Sequence, residues 1–461
     1  MTTIERPLTT AHMPPDRYRA FTLHNLESLP QLDRIPAHIV EGIRVVGQVL
    51  PFKTNSYVVN ELINWDDVPH DPIFVLNFPQ PDMLEPGHYA LVKQALDSGN
   101  QETLDAAVET VRRALNPHPA GQMEHNVPEI YGHKLTGMQH KYRETVLFFP
   151  SNGQTCHAYC TFCFRWPQFV GDDEMKFAMR ETELLVAYLQ EHEEVTDLLI
   201  TGGDPLVMSA RNLRTYIEPV LEAKIPHLRT IRIGSKALSY WPYRFTRDKD
   251  ADDLLALFRE VKEAGIHLAL MAHLNHPREL STPAVEQAIA RILETGAQIR
   301  TQSPLMRNIN DDADTWAQMW KRQVGLGLIP YYMFLARDTG AQNYFSVPLV
   351  RATEIFRGAY TQVSGICRTV RGPSMSTDPG KIQVLGETEV DGRKLLALSF
   401  IQGRNPDWVM RPFFARLDRG ATWIDELRPA FGAERFFYED ELQEMFDEDV
   451  RHLARFEESR S

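Results

Sequence analysis

The chain has 461 residues, 43% hydrophobic and 24% charged, an ordinary globular balance long enough for one large domain or two to three smaller ones. Its net charge of −13 argues against nucleic acid or an anionic membrane as the main partner. No apolar run approaches the roughly 18 residues of a membrane span, and the opening MTTIERPLTTAHMPPDR lacks an apolar signal core, so a soluble, cytoplasmic protein is expected.

Residues 1 to about 135 read as mostly helical and irregular. EPGHYALVKQALDSG and QETLDAAVETVRRALN carry helical spacing of apolar residues, and a loop rich in Pro, Gly and His follows. Short strand-like runs then alternate with amphipathic segments. The runs are TVLFFP (145–150), DLLITGGD (197–204), TIRIGSK (230–236), IHLALMAHLN (266–275), QIRTQSPL (298–305) and LIPYYMFLAR (328–337). Between them lie MRETELLVAYLQEHEEV, ARNLRTYIEPVLEA, ADDLLALFREVKEAG, TPAVEQAIARILETG and ADTWAQMWKRQVGLG, several ending in Gly as helices prefer. Such alternation implies an α/β fold with a parallel sheet and crossover helices. The strands read as apolar almost throughout, as strands buried on both faces are. A doubly wound sheet and an incomplete barrel both fit. In either, residues just after the strands gather on one functional face. Beyond about residue 385 a smaller cap is expected, with a hairpin in EVDGRKLLALSF and a charged helix in YEDELQEMFDEDVRHLARFEE.

Three of the four cysteines, Cys156, Cys160 and Cys163, cluster in TCHAYCTFCFRW with spacing C-x3-C-x2-C, at the end of the first strand. Three readings are open. The thiols are incidental and buried; or they hold zinc, which needs four ligands and would have to take His157 beside Cys156; or they hold an iron–sulfur cluster with one iron left open. Cys367 stands apart and need not be a ligand.

The motif, with an aromatic residue before its last cysteine, resembles that of radical S-adenosylmethionine (SAM) enzymes, whose open iron chelates SAM. TGGDP (201–205) resembles the glycine-rich stretch packing near the SAM amino group in that family. HKYRETVLFF, RIGS, HLNHP, TQSPLMRNIND, IPYYMF and DPGKIQV narrow the resemblance to lysine 2,3-aminomutase and its relatives, over about residues 40–390. The resemblance implies a partial (β/α)6 barrel, a [4Fe–4S] cluster, SAM, pyridoxal 5′-phosphate (PLP), and an electron donor of flavodoxin or ferredoxin type. It also implies a homo-oligomer and a small amino acid substrate.

Residue roles follow by motif. Cys156, Cys160 and Cys163 match the cluster ligands, and Gly202, Gly203, Asp204, His273 and Gln302 match positions near SAM. Lys381 matches the lysine that carries PLP covalently, a job that needs an exchangeable amine. Lys141 and Tyr142 match positions near PLP. Lys141 replaces an arginine and so loses the bidentate fork, and a second arginine of the motif falls on Thr145. Arg165 matches the partner of the substrate α-carboxylate. The distal end departs from the lysine pattern. The two aspartates that hold a lysine ammonium fall on Arg337 and Ser374, with Arg371 three residues before the latter. Burying an ammonium beside Arg337 would cost several kcal/mol. A substrate other than lysine is therefore expected, an acidic amino acid such as glutamate being the simplest.

The expected organisation is a helical region over 1–135, the radical SAM partial barrel over 136–345, a PLP-lysine segment over 346–390 and an extension over 391–461. The expected activity is an intramolecular amino acid 2,3-aminomutase, an isomerase. The alternative is a radical SAM enzyme of the same family acting on another metabolite or peptide without amino migration.

Overall fold

The computed structural model describes residues 17–116, 126–170 and 177–447. The N-terminal helices form where the apolar spacing places them: α1 (Ala37–Val49), α2 (Pro86–Asp97) and α3 (Gln101–Leu115). In α3, Leu104, Ala107, Val108 and Val111 recur at helical spacing and are all buried, and the Asn100 side chain caps the helix by accepting from the Thr103 N–H.

The main body is an eleven-stranded sheet. Its strands in chain order are β1 (Met138–Tyr142), β2 (Thr145–Phe148), β3 (Asp197–Ile200), β4 (Thr230–Ser235), β5 (His267–His273), β6 (Gln298–Leu305), β7 (Ile329–Leu335), β8 (Arg371–Ser376), β9 (Gly380–Val390), β10 (Arg393–Gly403) and β11 (Pro412–Arg416). Strands β2 to β8 pair parallel in sequence order. Strand β1 at one end and β9 to β11 at the other are antiparallel. The parallel strands are joined by α4 (Thr182–Glu191), α5 (Ala210–Glu222), α6 (Ala251–Glu263), α7 (Pro283–Glu294), α8 (Ala313–Gly325) and α9 (Leu349–Thr361). The protein is thus mixed α/β, dominated by a parallel sheet. Gly265 and Gly296, just past α6 and α7, take φ of 81°, the left-handed turn that ends a helix and that glycine adopts without a Cβ clash.

The strands are not apolar throughout, contrary to the sequence expectation. They alternate. Val146, Phe148, Leu198, Ile200, Ile231, Ile233, Leu268 and Leu270 are buried in the core. The intervening Thr145, Asp197, Thr230, Arg232 and His267 line a cavity. Period-two alternation sends successive side chains to opposite faces, so one face packs and the other carries chemistry.

β8 continues the parallel sheet through RGPSMS, where Gly372 and Pro373 are poor strand formers. Gly372 is required there: its φ is 148°, and a Cβ would lie 2.3 Å from the Met333 carbonyl oxygen. The expected hairpin is β9–β10, turning at Asp391–Gly392, both with positive φ. It extends the large sheet, and its first strand runs across residue 385, where a separate cap was expected to begin. Of the expected charged helix, 439–447 is helical and the rest lies outside the described residues. No helix among the described residues is long and apolar enough to cross a membrane.

Two contacts bring β1 and the segment before it to the far part of the sheet. The Lys141 ammonium on β1 donates to the Thr377 carbonyl in the β8–β9 turn. The Arg404 guanidinium, just past β10, donates to Asn126 Oδ1 at 2.7 Å.

Candidate active site

The cysteine loop follows β2 and is held from below by the N-terminal region. The Tyr159 N–H donates to the Lys53 carbonyl at 2.7 Å and the Thr161 N–H to the Leu76 carbonyl at 3.0 Å. The Lys53 ammonium donates to the Cys156 carbonyl at 2.7 Å. Fully buried Asn55 donates from Nδ2 to the carbonyls of His157 and Tyr240, at 3.1 and 3.0 Å, while its Oδ1 accepts from the Tyr57 and Val58 N–H groups. A buried amide with every group paired fixes the loop to its scaffold.

All three thiols are partly buried. Burial pushes the Cys163 thiol up to about 12, with Cys160 nearby adding to the effect. Cys156 is raised well above its ordinary value by burial first, then by Asp204, Cys163 and Cys160. Bare thiolates are costly here; iron charge would offset that cost, as it does wherever a coordinated thiol is deprotonated. Among the described residues no three His, Cys, Asp or Glu side chains converge on one metal ion. His157, the candidate fourth zinc ligand, is buried and held by burial at about 3.

The glycine pair packs directly on this loop. A Cβ on Gly203 would lie 2.5 Å from the Thr155 nitrogen, and the Asp204 N–H donates to the Thr155 carbonyl at 2.7 Å. Asp204 accepts from Ser235 Oγ at 2.8 Å and from the N–H groups of Leu206 and Lys236, both at 2.9 Å. Burial raises its carboxyl to about 6. Its oxygens are taken by protein donors, so it staples the β3 and β4 loops together. Lys236 continues the network by pairing with buried Glu279 and donating to Asn275 Oδ1 at 2.8 Å. His273, at the end of β5, stacks on Phe162 of the cysteine motif with ring centres 6.0 Å apart. Its Nδ1 is buried without a partner, and burial holds its ring at about 4, hence neutral. Gln302 lies beside it across the β5–β6 pairing.

The cavity is about 550 Å³, within the roughly 300–1,000 Å³ of small-molecule sites. Of the residues singled out from the sequence, Lys141, Tyr142, Arg165, Arg337 and Lys381 line it. The cysteines, Gly202, Gly203, Asp204, His273, Gln302, Arg371 and Ser374 do not, although Phe164 and Arg165 connect the cysteine loop to it. Ser374 is fully buried, with its hydroxyl donating to the Met333 carbonyl at 3.4 Å.

Lys381 is removed from bulk water within the cavity wall. Its ammonium donates to Gln402 Oε1 at 3.0 Å and lies 4.6 Å from the Tyr332 ring centre. Burial, then Arg232 and Arg371, lowers its amine to about 7. Lys141 is likewise lowered to about 7, by burial and then by Arg404 and Arg337. Arg165 lies 4.2 Å over the Phe149 ring, and Arg165 and Arg337 share the Phe164 ring at 5.5 and 5.2 Å. Arg337 approaches Asp338 only at 3.8 Å. Arg165 Nη1, Arg337 Nε and the Tyr332 hydroxyl are buried without hydrogen-bond partners. Six cationic and two acidic residues line the cavity of a chain whose net charge is −13. Such a site is built for anions.

Sequence reasoning missed Asp197, Arg232, His267, Arg300, Tyr331 and Gln402 in the lining. Alternating polar residues in TIRIG and QIRTQ were the signal.

A buried amine in a cationic cavity is reached from a three-cysteine loop that follows a strand of the parallel sheet. No protein-family model matches the chain. Among curated proteins, one from Aquifex aeolicus (strain VF5), provisionally named L-lysine 2,3-aminomutase, is 32% identical over 358 residues, 78% of this chain and 83% of that protein. L-lysine 2,3-aminomutase of Clostridium subterminale is 26% identical over 248 residues, 54% of this chain and 56% of its own. That of Escherichia coli (strain K12) is 28% identical over 247 residues, 54% and 68%. The chain belongs to the L-lysine 2,3-aminomutase family of radical SAM proteins. Among solved structures, SuiB of Streptococcus suis bound to its precursor peptide SuiA covers 57% of this chain and 51% of its own at 12% identity and a TM-score of 0.35, too slight a likeness to carry an argument.

Proposed function

We propose that the protein is a cytoplasmic, PLP-dependent amino acid 2,3-aminomutase of the radical SAM class, built on a partial (β/α)6 barrel and acting on an acidic amino acid such as glutamate. The observation that carries the reading is Lys381: an amine lowered to about 7 by burial, inside a cavity joined to the cysteine loop through Phe164 and Arg165. Cys156, Cys160 and Cys163 would hold the cluster, with SAM between it and the stretch from Gly202 to Asp204, His273 and Gln302. Lys381 would hold PLP, with Lys141 and Tyr142 beside it. When bound, the cluster and SAM supply hydrogen abstraction from an unactivated carbon, and PLP supplies a covalent carrier for the migrating nitrogen. A flavodoxin- or ferredoxin-type donor supplies the electron, and the active form is a homo-oligomer.

The chain's own residues do the rest. Arg165, with Nη1 unpartnered, receives the α-carboxylate through its planar fork. Phe149, Phe164 and Tyr142 wall the space against water. The paired Asn55, Asp204 and Lys236–Glu279 networks keep the surrounding loops in register.

Capture of PLP needs the unprotonated amine. With Lys381 at about 7, covalent capture by the apoprotein is half-maximal near pH 7 and falls as pH drops and the amine takes up its proton. An ordinary lysine reaches that midpoint only near pH 10.4. Borohydride trapping across pH 5–9, with peptide mapping, checks this. Trapping at another lysine, or a midpoint above pH 9, counts against the reading.

A further inference from the structure

Two groups of cations flank Lys381. The first is Lys141, Arg165, Arg337 and Arg404. Burial lowers both Lys141 and Arg165; Arg404 and Arg337 add to it at Lys141, and Arg337 adds the smallest contribution at Arg165. The second is Arg232, Arg300 and Arg371. Arg371 lies 4.4 Å over the Tyr331 ring and 4.2 Å over the Tyr332 ring; Arg300 shares the Tyr331 ring at 5.4 Å; Lys381 shares that of Tyr332 at 4.6 Å. Opposing the second group is one acid, Asp197. It binds Arg232 through both oxygens and accepts from Thr145 Oγ1 at 2.9 Å. Among the described residues Arg300 has one hydrogen-bond acceptor, Gln298 Oε1 at 3.2 Å. The Arg371 guanidinium has ring contacts and, among the described residues, no hydrogen bond or ion pair. Two guanidiniums without an ion-pair partner among the described residues therefore meet on the Tyr331 ring, Arg300 in the cavity lining and Arg371 outside it.

We infer that Arg300 in the cavity lining, with Arg371 reaching it across the shared Tyr331 ring, binds the second acid group of the substrate, the far carboxylate of a dicarboxylic amino acid. This rests on the aminomutase reading of Lys381 and moves the distal contact away from Arg337. The first group already has four cations for the two anions nearest the chemistry, the cofactor phosphate and the substrate α-carboxylate. A third anion has its partners in the second group, where bidentate guanidinium forks suit a carboxylate. A distal ammonium placed there meets three like charges against one carboxylate, Asp197, which Arg232 already occupies.

The test is a titration of the PLP-loaded protein with glutamate, aspartate, alanine and lysine, read by the change in cofactor absorbance without turnover. Wild type responds to a diacid at least about tenfold more tightly than to alanine. Arg300→Gln and Arg371→Gln each weaken the diacid response about tenfold and leave PLP uptake and the alanine response in place. Arg300→Lys and Arg371→Lys restore part of the loss, which a folding defect does not do. Unchanged diacid binding in both Gln variants overturns the inference. So does loss of PLP uptake itself, because the group then holds the cofactor phosphate. A wild-type chain that takes up no PLP at Lys381 instead sinks the aminomutase reading, and this inference with it.

Discussion

Cys160→Ala abolishes cleavage of SAM: 5′-deoxyadenosine formed after reduction with dithionite falls by at least about a hundredfold, to the background of protein without iron. Three cysteines are the minimum for a cluster with one open iron, and the loop offers no fourth thiol, since Cys367 is buried in a separate turn beyond α9. The variant should still fold. The Cys160 thiol has one polar contact, to the Tyr240 hydroxyl at 3.6 Å, and the loop backbone is held independently by Lys53, Asn55 and Leu76. Circular dichroism like that of wild type, with iron content reduced, separates loss of the cluster from loss of the fold. Full deoxyadenosine yield from Cys160→Ala would remove this cysteine from the ligand set.

Lys381→Ala has the opposite signature. The cluster and its iron are retained and deoxyadenosine still forms, but β-amino acid product falls by roughly 10³-fold or more, as for loss of a covalent catalyst. The absorbance of covalently held PLP disappears with it. The substitution removes an ammonium whose charged form is disfavoured in the cavity, so it costs little stability; Gln402 Oε1 loses its donor and can turn to cavity water. The two variants thus divide the site. One loses the radical source and keeps the nitrogen carrier; the other does the reverse. If Lys381→Ala kept full mutase turnover, the buried amine would have another purpose.

The sequence made the architecture legible where local signals were strong. Each of the six apolar runs is a strand and each of the five intervening segments a helix, because period and capping agreed with tertiary packing. β8 was hidden by Gly372 and Pro373, poor strand formers, the glycine being required where the Met333 carbonyl approaches closely. Lys141, Tyr142, Arg165 and Lys381, which line the cavity, were singled out through resemblance. The second half of the cavity was not, because its residues come one at a time from strands that read as core. Arg232 stands alone between two isoleucines and Arg300 beside one, and only the tertiary fold brings them into one cavity with Lys381. Arg337 shows the converse. Its position in the motif assigned it to the distal end of the substrate, and nothing in the sequence signalled that its side chain shares the Phe164 ring with Arg165. The N-terminal region carried no motif, yet Lys53, Asn55 and Leu76 hold the cysteine loop through backbone contacts that no residue pattern announces.

The central claim is that one cavity joins radical chemistry to a nitrogen carrier. Its most direct test is anaerobic reconstitution of the full chain with iron, sulfide and PLP, followed by SAM, dithionite and a mixture of α-amino acids, with deoxyadenosine and β-amino acids followed by mass spectrometry. The account predicts both products, with the β-amino acid arising from an acidic component, β-glutamate foremost, and none from lysine. Deoxyadenosine without any β-amino acid, from protein carrying full iron and PLP, would contradict it.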